Sequence, residues 1–119
     1  MLRGERQEAP ETGGVAAVEP VWRCAACGHG IARQRIPLDG AETRAFVNPA
    51  GIEYVIGGFR DAPGCRLVSE QSSYWGWFPG FAWQIADCGK CDVHLGWSFS
   101  SESERFYGLI LDRLIAPST

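Results

Sequence analysis

Four of the five cysteines form two CxxC pairs, Cys24 with Cys27 and Cys88 with Cys91. A CxxC pair can bring two thiolates to one metal ion through a tight turn, and four thiolates complete the tetrahedral coordination typical of structural zinc. Such a site is closed and has no open position for a substrate. The spacing therefore predicts one structural zinc ion per chain and no catalytic residue among its ligands.

The two pairs are separated by about 60 residues, more than the roughly 15–20 of a short zinc ribbon. We therefore expect the metal to join two parts of a larger domain. A disulfide framework is the alternative, and it is less expected in a chain without a signal peptide.

Cys65 is unpaired; we expect a small buried residue there, with a reactive thiol as the alternative. His94 is expected to be a hydrogen-bonding partner inside the fold, not a fifth metal ligand.

A second cluster is aromatic, because four of the five tryptophans lie between positions 75 and 97. Side chains alternate along a strand, so Trp97 and Phe99 share one face, as do Trp83 and Ile85. These rings either fill the core of a small β domain or form a cage. A tryptophan cage binds a cation through the ring faces, or a flat neutral molecule by stacking and apolar burial.

The elements that must position these residues are short β-like runs punctuated by Gly and Pro, without helical periodicity. This pattern predicts one mostly β domain over positions 21–116. Residues 112–115 fit either a helical turn or a strand end. The predicted strands are 43–47, 52–56, 66–69, 81–86, 94–98 and 105–111, with turns at 48–51, 57–58 and 79–80.

Positions 1–20 are rich in Glu, Gly and Pro, and we expect a disordered tail there because so few apolar residues cannot offset the entropy of ordering. The sequence has no apolar run long enough for a signal peptide or a membrane span. The net charge is −3 and the arginines are scattered, unlike the basic patch of a nucleic-acid-binding domain. A cytoplasmic protein that binds neither nucleic acid nor membrane is expected; the oligomeric state is not predicted.

Several motifs, in this order, resemble the CULT family, the thalidomide-binding domains of cereblon-like proteins, and above all its stand-alone bacterial members. The resemblance runs from about residue 22 to 115. Its motifs are both CxxC pairs and positions 46–51 (FVNPAG), 77–83 (WFPGFAW), 94–99 (HLGWSF) and 106–109 (FYGL).

The resemblance implies a single β-tent domain of antiparallel sheets, pinned by a structural zinc on the four cysteines. It also implies a three-tryptophan cage for cyclic imides: glutarimide or thalidomide-like rings, uracil-like rings or C-terminal cyclic imides of peptides. The expected function is small-molecule binding, with no enzyme activity and no ligase activity of its own. The ligand-binding positions are Asn48, Trp75, Trp77, Trp83, Trp97 and Phe99.

Within this set, the three cage walls correspond to Trp77, Trp83 and Trp97. Backbone groups near Trp75 and Trp77 would bond the polar edge of the imide, because a buried imide group left without a partner costs about 1–3 kcal/mol. The sequence departs from the family at Trp75, where one family member has His. A fourth indole there would narrow the mouth of the cage or cover it.

Two alternatives come from other classes. One is an aromatic cage for methylated lysine or another quaternary ammonium, for which the nearby carboxylates are Glu70, Asp87 and Asp92. The other is an enzyme, since residues 91–96 also resemble the second zinc knuckle of B-type methionine sulfoxide reductases. Those enzymes need a cysteine nearer the C-terminus, and no cysteine follows Cys91.

Overall fold

The computed structural model describes residues 20–118. All but the last residue of the tail predicted at positions 1–20 therefore lies outside the described part of the chain. The described residues form ten strands and one 3-10 turn. The strands are β1 (Trp22–Cys24), β2 (Gly30–Ala32), β3 (Arg35–Ile36), β4 (Thr43–Val47), β5 (Glu53–Phe59), β6 (Cys65–Leu67), β7 (Ala82–Cys88), β8 (His94–Ser100), β9 (Arg105–Ile110) and β10 (Leu114–Ile115).

The strands build two antiparallel sheets. The smaller sheet has the order β10-β1-β2, so the first and last strands of the domain are hydrogen-bonded neighbours, with Arg23 opposite Ile115. The larger sheet has the order β3-β5-β9-β8-β7-β6, and β4 also pairs with β5. The predicted fold class, a mostly β domain of antiparallel sheets, is confirmed, and four of its cysteines form a cluster that could hold a metal ion.

The predicted turn at Gly57 and Gly58 is wrong. Both glycines lie inside β5, where Gly57 pairs with Leu109 and Gly58 with Gly108 of β9. A Cβ atom on Gly58 would lie 2.5 Å from the carbonyl oxygen of Ile36 in β3. The glycines are thus needed because neighbouring strands approach closely, not because the chain reverses.

The other predicted strands differ from the observed strands mainly in the residues at which they begin and end. The strand at Thr43–Val47 has the predicted bounds, whereas β5, β7 and β8 each continue two or three residues beyond theirs. Residues 112–115 combine both options, because the 3-10 turn Leu111–Arg113 leads directly into β10. Three strands of two or three residues were not predicted, β1, β2 and β3. Within residues 20–118, no helix is long and apolar enough to span a membrane.

The apolar interior is divided between two groups of buried residues. One includes Cys24 and Cys88, and we call it the metal-end core; its largest fully buried side chains are Phe59, Ile31, Leu95 and Leu109. The other, the aromatic-end core, consists of Leu38, Ile56, Phe78, Trp97, Phe99 and Ile110. Because β5, β8 and β9 contribute to both, the sheet itself connects the two ends.

Candidate functional site

The four predicted metal ligands converge between the two sheets. The Sγ atoms of Cys24, Cys27, Cys88 and Cys91 all lie within 4.8 Å of one another. Two of these distances are 3.8 Å, from Cys24 to Cys91, and 3.7 Å, from Cys27 to Cys88. Four sulfurs about 2.3 Å from one zinc ion lie about 3.8 Å apart, whereas disulfide sulfurs lie about 2 Å apart. The geometry therefore fits a metal ion and not a disulfide framework.

The two CxxC pairs sit in hairpins with the same backbone pattern. In each, the amide of the first cysteine donates to the carbonyl five residues later, and the amide four residues later donates back to the cysteine carbonyl. The residue at that fourth position has a positive φ, 81° at Gly28 and 69° at Asp92. Glycine adopts this conformation without strain. Asp92 adopts the same conformation without being glycine, and its carboxylate pairs with Arg66.

The local hydrogen bonds favour a thiolate at Cys88. The amides of Lys90 and Cys91 point at its sulfur, with N–S distances of 3.4 and 3.5 Å. Burial works to raise the pKa of Cys88, but these donors and the neighbouring thiols outweigh it and lower the pKa to about 7. The thiolate is the form that binds a metal ion.

Cys65 lies next to this cluster without belonging to it. It faces Cys88 across the β6–β7 pair and packs against the metal-end core. Burial, followed by the nearby Cys88 and Asp87, raises the pKa of Cys65 to about 12. A nucleophilic thiol needs a lowered pKa, so this environment matches the expected passive residue.

The aromatic residues surround a cavity of about 360 Å³, within the range of small-molecule sites. All six residues predicted to bind a ligand lie on its wall, although their role in binding stays a prediction. Five further lining residues were missed. The lining residues are Asn48, Pro49, Tyr54, Tyr74, Trp75, Trp77, Trp83, Ile85, His94, Trp97 and Phe99.

Some of these rings belong to the core and others are more exposed in the cavity wall. Each explanation of the aromatic cluster therefore applies to a different part of it. Trp97 and Phe99 are only 9% and 2% exposed and belong to the aromatic-end core. Trp77 and Trp83 are partly buried and pack against that core. Trp75 is 51% exposed at the solvent side of the cavity. Burial thus decreases from the strands to the loop between β6 and β7.

Ring contacts hold two of the predicted cage walls in place. Trp77 meets Trp97 edge to face, with centroids 4.7 Å apart, and stacks on Phe46 at 4.8 Å. Trp83 has its indole N–H bonded to the carbonyl of Tyr74 at 2.7 Å. This bond fixes the loop to β7, because Tyr74 and Trp83 belong to different segments.

The loop between β6 and β7 is also tied to β4. The indole nitrogens of Trp75 and Trp77 both donate to the carbonyl of Val47, at 2.8 and 3.2 Å. Trp75 has a φ of 54°, a left-handed conformation that costs a non-glycine residue about 1–2 kcal/mol. The bond to Val47 helps to hold this strained residue.

Asn48 occupies the turn between β4 and β5 at the cavity edge. Its side-chain oxygen accepts hydrogen bonds from the amides of Ala50 and Ile52, at 3.0 and 2.9 Å. The oxygen therefore closes the turn. Of the side-chain atoms of Asn48, the amide nitrogen is left to interact with a ligand.

His94 is the missed residue with the clearest chemistry. Its Nε2 lies 3.0 Å from the carbonyl of Gly96, which confirms the expected hydrogen-bonding role within the fold. Its ring also meets Trp97 edge to face at 4.8 Å and lines the cavity. Burial, aided by Arg113, lowers the pKa of His94, so the ring is neutral at neutral pH.

Strand pairing explains why these residues were missed. Ile85 lies opposite Trp97, and Asp87 lies opposite His94 across a bulge in the β7–β8 pair. Alternation with Trp83 was the one local signal for Ile85. The positions of Tyr54, Tyr74 and His94 depend on how separate segments meet.

The chain is similar to part of cereblon from several animals. It is 37% identical to protein cereblon of Danio rerio over 76 residues, which are 60% of this chain and 18% of that protein. For protein cereblon of Xenopus tropicalis the identity is 39% over 70 residues, 55% of this chain and 16% of that protein.

A longer match is to protein cereblon of Drosophila pseudoobscura pseudoobscura, 27% identical over 117 residues, 82% of this chain and 17% of that protein. The chain spans less than a fifth of the length of each of these relatives. No family model matches it. This similarity and the four-cysteine cluster are consistent with the cereblon-like CULT domain that the motifs predicted.

Proposed function

We propose that this chain is a non-enzymatic binding module whose aromatic cavity takes cyclic imides: glutarimide-like or uracil-like rings, or the C-terminal cyclic imide of a peptide. The observation that carries the proposal is the cavity enclosed by Trp77, Trp83 and Trp97. Its lining contains aromatic and other neutral side chains, with no Asp, Glu, Lys or Arg among the described residues. A flat neutral ring suits such a wall.

The polar edge of an imide needs partners as well. The carbonyl of Trp75 and the amide of Trp77 make no backbone–backbone hydrogen bond with the described residues. Both belong to the segment that lines the cavity, and together they offer an acceptor for the imide N–H and a donor for an imide carbonyl. Pairing these groups would avoid a penalty of about 1–3 kcal/mol for each buried polar group.

The metal in this proposal is zinc, held by the thiolates of Cys24, Cys27, Cys88 and Cys91. Four sulfur ligands at these distances suit zinc, and its role here would be to cross-link the two sheets. A cytoplasmic location is part of the proposal, because reduced thiols persist in that compartment.

The two alternatives find less support. A cage for a quaternary ammonium usually includes a carboxylate, yet Glu70, Asp87 and Asp92 are all absent from the cavity lining. A reductase would require a reactive cysteine, whereas Cys65 lies at the metal end and burial raises its pKa to about 12. Binding of a neutral ring accounts for more of the observed features.

The test is a titration followed by tryptophan fluorescence, with glutarimide, uridine and trimethyl-lysine as separate ligands. Glutarimide is expected to bind and to raise the melting temperature, because a ligand of the native state stabilises it. Glutaramide, the open-chain diamide with the same five-carbon backbone, is the matched negative ligand. Binding of trimethyl-lysine without glutarimide would support the cation cage and reject the proposal.

A further inference from the structure

Trp75 differs from the other tryptophans of the cavity in both backbone and exposure. Its φ is 54° and its side chain is 51% exposed, although it lines the cavity. A bulky residue keeps a left-handed conformation only where its surroundings hold it there, and such residues concentrate at ligand clamps. At Trp75 the bond from Nε1 to the carbonyl of Val47, 2.8 Å long, supplies part of that hold.

The indole of Trp75 joins two segments that both line the cavity. Its backbone belongs to the loop between β6 and β7, and Val47 ends β4 immediately before Asn48 and Pro49 of the next turn. We propose that Trp75 is a strap across the cavity mouth, which selects compact rings over rings that carry a bulky substituent. This inference rests on the proposed function and ranks its ligands: glutarimide-like and uracil-like rings are compact, whereas the C-terminal cyclic imide of a peptide carries the peptide as a substituent and would bind less well.

The selection follows from where a substituent must go. Trp75 and Trp97 both line the cavity, but Trp75 is 51% exposed and Trp97 only 9%, so Trp75 lies on the solvent side. A substituent on a ring held between Trp77, Trp83 and Trp97 would extend toward solvent past this indole. A bulky group must therefore displace the indole and break its bond to Val47. Trp77 also donates to the Val47 carbonyl, at 3.2 Å, so the oxygen keeps a partner when Trp75 leaves. The shared acceptor lets the strap open without leaving the Val47 carbonyl unpaired.

The affinities of glutarimide and 3-phenylglutarimide, measured by calorimetry, test the selection. Trp75→Gly removes the ring and tolerates the positive φ, so it keeps the backbone conformation. We expect this variant to shift the affinity ratio toward the substituted ring by about tenfold, the range in which apolar pockets discriminate small size differences. Trp75→Phe keeps an aromatic ring but lacks the indole N–H, and we expect it to shift the affinity ratio less. Val68→Ala, an exposed residue outside the cavity lining, is the control.

An unchanged ratio in Trp75→Gly, with wild type binding glutarimide, would overturn the strap and leave the proposed function standing. Wild type that binds neither ring would overturn the proposed function. In that case the strap can still be tested without a ligand, by measuring how strongly acrylamide quenches the fluorescence of the remaining tryptophans in Trp75→Gly and Trp75→Phe. A larger quenching constant in the glycine variant supports a cover over the cavity, and equal constants reject it.

Discussion

The two ends of the domain use their buried residues in opposite ways. At the metal end, Cys24 and Cys88 are fully buried and the four sulfurs converge to within 4.8 Å of one another. At the aromatic end, the rings of Trp77 and Trp83 leave about 360 Å³ unfilled. A small domain that holds open an apolar cavity forgoes part of its packing free energy. The contrast indicates that the metal end supplies the stability that the cavity does not.

Metal removal is expected to have the largest effect. Cys88→Ser removes a ligand from a site whose binding free energy is part of folding, and a loss of several kcal/mol would consume much of the roughly 5–15 kcal/mol stability of a typical domain. Circular dichroism should show loss of the folded state, and elemental analysis should show loss of one zinc per chain. A folded variant, or wild type with far less than one zinc, would mean that the metal end does not carry the stability.

Two aromatic substitutions should distinguish a residue of the core from a residue of the cavity wall. Phe99→Ala empties a site that is 2% exposed and packed 4.8 Å from Phe78, so we expect a loss of about 3–5 kcal/mol in urea denaturation. Trp83→Ala should cost less, since this ring is partly buried, yet it should abolish the stabilisation by glutarimide. Equal destabilisation by both, with binding kept in Trp83→Ala, would assign Trp83 to the core.

A glycine substitution disturbs the metal end without touching a cysteine. A Cβ atom on Gly64 would lie 2.0 Å from the carbonyl oxygen of Gly30, so Gly64→Ala must push β2 away. We expect a loss of about 1–3 kcal/mol from overpacking, measured by urea denaturation. The matched control is Gly76→Ala, whose Cβ would meet nothing closer than 3.4 Å. If both variants are equally stable, the sheets are less tightly joined than this contact indicates.

Cys65→Ser should have the smallest effect. We expect about 1 kcal/mol of destabilisation from a partly buried hydroxyl, with zinc content and glutarimide affinity unchanged. Elemental analysis and the fluorescence titration check this. A variant that loses zinc would make Cys65 part of the metal site, and one that loses a sulfoxide reductase activity would restore the enzyme hypothesis.

The metal end was predicted well because the sequence signal for it lies in short, local motifs. A CxxC pair carries its own turn and its own two ligands, so the four cysteines could be named from spacing alone. The strand Thr43–Val47 was likewise predicted from its own residues and the turn that follows. Strands β1, β2 and β3 were missed because two or three residues are too few to show a period.

Errors arose where distant segments meet. A Gly-Gly pair usually marks a turn, but the approach of Ile36 to Gly58 depends on how β3 pairs with β5. Similarly, His94 lines the cavity because of a bulge between β7 and β8. The positions of the cage tryptophans followed from a resemblance to known motifs, and their differing burial was apparent only once the strands were paired.

The pairing of β1 with β10 has an architectural consequence. Arg23 and Ile115 are neighbours, so a polypeptide joined to either side of the domain emerges at one place, within the sheet that carries Cys24. None of these residues lines the cavity. The domain can therefore be inserted into another chain, or tethered on either side to a surface or a reporter, through residues that do not line the cavity.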